Sequence, residues 1–156
     1  AHVHARGVVH MDIKSANIMI MPSKGTLMPT VDDAPDETLP QEYEKPHVVL
    51  IDLGVAQLFN PGNFTHNKPM GTPATMAPEV WRGTITPKAD VFSCGVVLFE
   101  LLSLKLPLRV PGDREGGARF WANPPLIDFS LLRPVTGNAE DLCRYMMTFE
   151  RIPRPS

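Results

Sequence analysis

The sequence predicts an α+β chain that is mainly helical, with a small strand pair carrying a functional loop. Three stretches predict it: "HMDIKSAN" running into the apolar "IMI", "HVVLIDLG" ending in an acid and a glycine, and the almost uniformly apolar "DVFSCGVVLFELL". In the first, Asp12, Lys14 and Asn17 stand at i, i+2 and i+5. Those spacings share neither one face of a strand nor one side of a helix, so only a structured loop can gather the three. A carboxylate, an ammonium and an amide oxygen in one loop suit phosphate and a hard metal ion.

Each element follows from its own residues. "AHVHARG" reads as the last turns of a helix stopped by Gly7, a glycine being the usual left-handed cap. "VVH" and "NIMIM" are short apolar strands beside the loop they bracket. Residues 22–46 change texture, with five prolines, and with six acids against two lysines for a net charge of −4. Too few apolar residues stand there to offset the cost of ordering the backbone, so the segment reads as a mobile acidic insertion between two strands. A tolerated insertion is the plain reading, and a docking or regulatory role the alternative. "HVVLIDLG" is the second strand and sets Asp52 where a buried strand opens into a loop.

Residues 55–80 carry Gly, Pro, Asn and Thr without periodicity and are expected to form one long irregular segment. Thr86 as N-cap and Pro87 at the first helical position then open a helix that is apolar nearly all round, and such a helix belongs in the middle of a domain. The stretch Pro107 to Pro125 holds a short helix, and "NAEDLCRYMMTFE" is a final amphipathic helix with Asn138 as its cap.

Composition narrows the function. With 156 residues and 43% hydrophobic content the chain can bury one real core, and a formal charge of −2 from 15 basic and 17 acidic residues offers no field for nucleic acid or an anionic membrane surface. The longest apolar stretch, Val91 to Leu104, is too short to span a bilayer and contains Glu100. Cys94 and Cys143 have no close-spaced companion and read as buried thiols of a reducing compartment, which points to an intracellular, cytoplasmic protein without a signal peptide. A zinc site on His2, His4 and His10 is disfavoured, because no cysteine or further histidine lies nearby in sequence. The start at Ala1 and the end at "RIPRPS" suggest a piece of something longer.

Five motifs in order carry a family resemblance. "HMDIKSAN" resembles the H-R-D-x-K-x-x-N catalytic loop of eukaryotic protein kinases, "DLG" at Asp52 to Gly54 their D-F-G, and "APE" at Ala77 to Glu79 their A-P-E. "DVFSCGVVLFELL" is similar to their central helix, and "RPS" at Arg154 to Ser156 to the arginine-bearing motif near the domain's end. The resemblance implies a kinase-like fold and a partial kinase domain over 1–156, the C-terminal lobe, whose short β-hairpin carries the catalytic loop and the metal-binding aspartate. It implies ATP and Mg2+ as cofactors and Ser/Thr-bearing proteins as substrates.

Carried over residue by residue, Asp12 would orient the substrate hydroxyl and accept its proton, and Lys14 would stabilise the transferring phosphoryl group. Asn17 and Asp52 would hold magnesium. Met19 matches the apolar floor under the adenine, a role compatible with plain core packing. Gly71-Thr72 and Lys14 resemble the serine/threonine branch, with Thr72 contacting the Asp12–Lys14 pair. His10, Asp90, Glu79 and Arg154 match architectural positions: the loop histidine, the acid that holds the loop backbone, and a buried ion pair. Thr65 is a candidate phosphorylation site or simply an exposed loop threonine.

Two departures and one absence qualify the resemblance. Met11 stands where most relatives have an arginine that pairs with an activation-segment phosphate, and a thioether cannot hold that charge. Activity is therefore expected to depend little on phosphorylation of that segment. Leu53 replaces phenylalanine and is expected to fill the same apolar slot. The glycine-rich phosphate loop, the strand lysine and the hinge are missing, so the 1–156 piece alone is expected to be nearly inert without its N-terminal lobe in cis. The competing readings are a catalytically inactive pseudokinase or scaffold and a small-molecule phosphotransferase; the second lacks A-P-E and the peptide-admitting segment that Gly71-Thr72 and Ala77-Pro78-Glu79 represent.

Overall fold

The computed structural model describes residues 2–21, 47–59, 68–132 and 137–155. The acidic insertion at 22–46 and Thr65 lie outside the described residues. The chain divides into two compact units, one of residues 1–15 with 52–156 and one of residues 16–51.

In the larger unit, a 3-10 turn at His4–Arg6 ends on Gly7 in the left-handed region, φ 70°, as the sequence expects. Strand β1 (Val8–Val9) follows and pairs antiparallel with β4 (Gln57–Leu58), Val8 facing Leu58. In the smaller unit, β2 (Ile18–Met21) pairs antiparallel with β3 (His47–Leu50), Ile18 facing Leu50 and Met21 facing His47. The β2–β3 pair is the hairpin the sequence expects, with the loop just before it and Asp52 just after it; the β1–β4 pair is a second small sheet that was not expected. A two-residue strand still carries backbone donors and acceptors that need partners, and β1 finds them in a segment with no strand-like pattern of its own.

Four α-helices lie among the described residues: α1 (Pro78–Trp81), α2 (Pro87–Ser103), α3 (Arg114–Ala122) and α4 (Gly137–Met146). β4 and all but the last residue of α1 fall inside the segment expected to be irregular. α2 starts as expected, with Thr86 extended at the cap and Pro87 first in the helix, but the Thr86 hydroxyl makes no capping bond. α3 is capped by Asp113, whose side chain accepts from the Gly116 N–H at 2.7 Å. Asn138 lies inside α4, which begins at Gly137, so it is not the cap. Its amphipathic pattern located the helix, but the helical backbone starts one residue before the side chain best suited to end it.

α2 is the core element. Phe92, Val96 and Phe99 are buried in one cluster with Val9, Met11, Val80, Trp81, Trp121, Leu132, Cys143 and Met147, so every helix contributes to it. Trp121 packs edge-on against Phe92, Phe120 and Phe149 with ring centroids 6.0, 5.1 and 5.4 Å away, the arrangement that the ring quadrupole favours. Leu53, by contrast, is 59% exposed in the larger unit. It follows Asp52, whose backbone is left-handed, φ 66°. Cys143 is buried and Cys94 half-buried; both are free thiols.

Candidate active site

The loop after β1 is held from beneath. Asp90, in the first turn of α2 and 2% exposed, accepts the backbone N–H of His10 at 2.8 Å and of Met11 at 2.9 Å, one on each carboxylate oxygen. His4 Nε2 lies 2.8 Å from the same acid. His10 is fully buried, and its Nδ1 accepts the N–H of Asp12 at 3.3 Å. These bonds fix a backbone that the chain would not choose by itself, because Met11 sits at φ 69°, where a side chain is crowded. Its side chain joins the buried core, so the place where an arginine would offer charge is apolar.

The reactive groups meet above that platform. Lys14 Nζ donates to Asp12 Oδ2 at 2.7 Å and to Thr72 Oγ1 at 3.0 Å, while the Thr72 hydroxyl donates to Asp12 Oδ1 at 2.6 Å. Three side chains from two segments 58 and 60 residues apart close a triangle of charge-assisted bonds. Gly71 allows it. Its φ is 109°, and a Cβ there would stand 2.2 Å from the Met11 carbonyl oxygen, so any larger residue would push the segment off the loop. The segment is tied down further along, where the Ser93 hydroxyl of α2 donates to the Thr75 carbonyl at 2.7 Å.

Asp52 lies in the same unit as Asp12 and is another left-handed residue, φ 66°. Its Oδ1 accepts the Gly54 N–H at 3.0 Å, and the residue is exposed, so a hard oxygen donor remains available on an open carboxylate. That donor type fits magnesium, which takes one or two protein oxygens and completes its shell with phosphate and water. Asn17 and Met19 belong to the smaller unit. Asn17 is buried, and its carbonyl accepts the Ile51 N–H at 3.0 Å at the mouth of the β2–β3 pair. Met19 is 44% exposed, so plain core packing does not account for it.

A loop with this triangle, this buried acid and this order of motifs has a direct counterpart among known proteins. The family model described as the protein kinase domain matches residues 1–156. The chain belongs to the protein kinase domain family. Among the kinases it is similar to, calcium-dependent protein kinase 4 of Plasmodium falciparum is 27% identical over 155 residues, covering 99% of this chain and 26% of the relative. Calcium-dependent protein kinase 21 of rice is 31% identical over 156 residues, 98% of this chain and 23% of the relative. Serine/threonine-protein kinase ATG1 of Beauveria bassiana is 27% identical over 161 residues, 99% of this chain and 17% of the relative. The chain thus spans about a quarter or less of the length of these relatives.

In this kinase chain the segment after Thr72 ends in an anchored ion pair. Arg154 is 1% exposed and uses all five of its N–H donors: two on the Glu79 carboxylate at 2.6 and 2.9 Å, and one each on the carbonyls of Lys88, Phe149 and Thr148. Its guanidinium also lies 4.9 Å from the Phe92 ring centroid. The structure therefore brings together Asp12, Lys14 and Thr72, then His10 with Asp12 and with Asp90, and then Glu79 with Arg154. Sequence reasoning missed His4 as a partner of Asp90, since nothing local marks a contact across 86 residues. No helix among the described residues is long and apolar enough to cross a membrane.

Proposed function

We propose that the chain is the catalytic-loop portion, the C-terminal lobe, of a serine/threonine protein kinase that transfers the γ-phosphoryl group of ATP to Ser or Thr hydroxyls of protein substrates. The closed triangle of Asp12, Lys14 and Thr72 carries this reading. Asp12 accepts the proton of the substrate hydroxyl as its oxygen bonds to phosphorus, and ADP leaves with the other end of the broken P–O bond. Lys14 neutralises charge on the phosphoryl oxygens. Thr72 holds the Asp12 carboxylate in one orientation and borders the space where the hydroxyl must enter. ATP and Mg2+ would supply the phosphoryl group and charge neutralisation; by the family resemblance Asn17 and Asp52 would each give the metal an oxygen, and Met19 would offer apolar surface to the adenine.

Activity requires an N-terminal lobe in cis, and residues 1–156 alone are nearly inert. Burial of Met11 supports a kinase that depends little on phosphorylation at Thr65, because the place of the phosphate-pairing charge is apolar. The protein works inside the cell, in the cytoplasm. Transfer of label from ATP with magnesium to a mixture of basic and acidic generic proteins tests the reading, using the full-length gene product beside its Asp52→Asn variant. Transfer that vanishes in the variant is the expected result. No transfer and no nucleotide-induced thermal shift from the folded full-length protein would leave a catalytically inactive scaffold instead.

A further inference from the structure

The C-terminal turn of α4 and the chain around the 3-10 turn at Phe129–Leu132 border a cleft of about 280 Å³ that no residue of the Asp12–Lys14–Thr72 triangle lines. Leu126, Ile127, Met147 and Phe149 make its walls apolar, and Arg144 and Thr148 are its polar residues. The rear walls are fixed. Met147 is 2% exposed, Phe149 packs edge-on against Trp121 at 5.4 Å, and the carbonyls of Thr148 and Phe149 accept from the buried Arg154 at 2.7 and 3.0 Å. A cleft of settled shape asks little reorganisation of a ligand. Leu126, by contrast, is 96% exposed, a large apolar wall left open to water.

Arg144 sets the polarity of the cleft. As the i,i+4 partner of Glu140 it would ordinarily swing on the helix surface. Here its guanidinium is laid over the Phe129 ring, 4.2 Å from the centroid, and both residues line the cleft. Glu140 Oε1 accepts from Nε at 2.9 Å and from Nη2 at 2.6 Å, and Nη1 makes no hydrogen bond among the described residues. The Nη1–Nη2 edge can therefore take a carboxylate in a two-bond fork. The Thr148 hydroxyl is turned back on α4, 3.1 Å from the Arg144 carbonyl and 3.0 Å from the Tyr145 carbonyl, so it needs no donor or acceptor from a ligand. An apolar trough with an open guanidinium edge complements an apolar chain that ends in a single anion.

We propose that this cleft binds a medium-chain aliphatic carboxylate, with the chain along Leu126, Ile127, Met147 and Phe149 and the carboxylate on Arg144. The cleft stands at the small end of ligand pockets, which run from about 300 to 1,000 Å³, and this limits the chain to roughly eight carbons. The site is open and Glu140 offsets part of the arginine's charge, so the carboxylate adds roughly fivefold to the affinity, and salt weakens that share. No group of the triangle takes part, so the site is independent of the kinase reading.

The test titrates the full-length protein with octanoate and with octanol, the same chain without the charge, and reads binding by ligand-observed NMR. One saturable site is expected, with octanoate roughly fivefold tighter than octanol. Heptanoate binds roughly threefold more weakly than octanoate, the share of one methylene. Arg144→Gln removes the difference between octanoate and octanol, and Leu126→Glu weakens octanoate more than octanol. Both side chains are exposed, so unchanged thermal unfolding of the two variants separates lost binding from lost fold. Absence of saturable binding, equal affinity for octanoate and octanol, or binding that neither variant alters overturns the proposal. Tighter binding of the acidic peptide acetyl-Leu-Glu-amide than of octanoate overturns it in favour of a protein segment. A monomer–dimer equilibrium in sedimentation that Leu126→Glu abolishes overturns it in favour of a second copy of the chain.

Discussion

Two ion pairs of nearly equal length have opposite surroundings in this chain. Glu79 and Arg154 meet at 2.6 Å with side-chain exposures of 9% and 0%, while Asp12 and Lys14 meet at 2.7 Å with exposures of 12% and 30%. In the first, every guanidinium N–H has an acceptor inside the protein, so the pair can only hold. In the second, the lysine reaches solvent and shares the acid with a hydroxyl, so both charges can meet a further group. The difference teaches that distance does not distinguish a strut from a reactive pair. Exposure and the saturation of the donors do.

The comparison breaks most sharply at Asp12. Asp12→Asn in the full-length protein is expected to lower phosphate transfer by about 10²–10⁴, the range for losing a positioned general base, while the denaturation midpoint stays close to wild type. A large loss of stability with little loss of transfer would reverse the assignment of the two pairs. Arg154→Met is expected to do the opposite, lowering stability to urea by about 3–5 kcal/mol because Glu79 is left buried and uncompensated. Adding Glu79→Gln to Arg154→Met should recover part of that loss, and its failure to do so would place the cost in packing against Phe92 instead.

Gly71→Ala sharpens the comparison between the two pairs. The new Cβ would stand 2.2 Å from the Met11 carbonyl oxygen, so Thr72 must shift off the Asp12–Lys14 pair. A drop of roughly tenfold to a hundredfold in transfer, with a smaller change in stability, is expected from misplacing the reacting groups. Steady-state kinetics beside a urea titration would read both.

The smallest effect concerns the thiols. Burial pushes the Cys94 thiol up, with the Asp90 carboxylate adding to it, and burial followed by Glu140 pushes up Cys143. Both thiols therefore hold their protons to higher pH in the folded chain than in the unfolded one. The stability they contribute is complete below the ordinary thiol value of 9.0 and is lost as pH rises through their raised values. A urea midpoint that falls above that range, and falls less in Cys94→Ala/Cys143→Ala, is the expected outcome. A midpoint with the same alkaline slope in both proteins would assign the loss to other groups.

Much of the site was legible because its chemistry is local. Asp12, Lys14 and Asn17 are spaced as a loop must space them, and "APE" and "DLG" are contiguous. The contact of Thr72 with the Asp12–Lys14 pair followed from the resemblance, and so did the bonds from Asp90. The fold was less legible wherever an element was short. β1 and β4 are two residues each, and no hydrophobic period can appear in so few, so their pairing was missed, whereas the longer β2–β3 hairpin was legible.

By itself, the amino-acid sequence determined the family, the helices with long apolar patterns, and the residue types able to move a phosphoryl group. These depend on neighbours within one or two turns of chain. Only the tertiary structure decided which acid is sealed and which is open, that His4 leans on Asp90, and that Gly71 must approach the Met11 carbonyl. Each of these is a meeting of segments tens of residues apart, and burial and close approach exist only after the chain has folded.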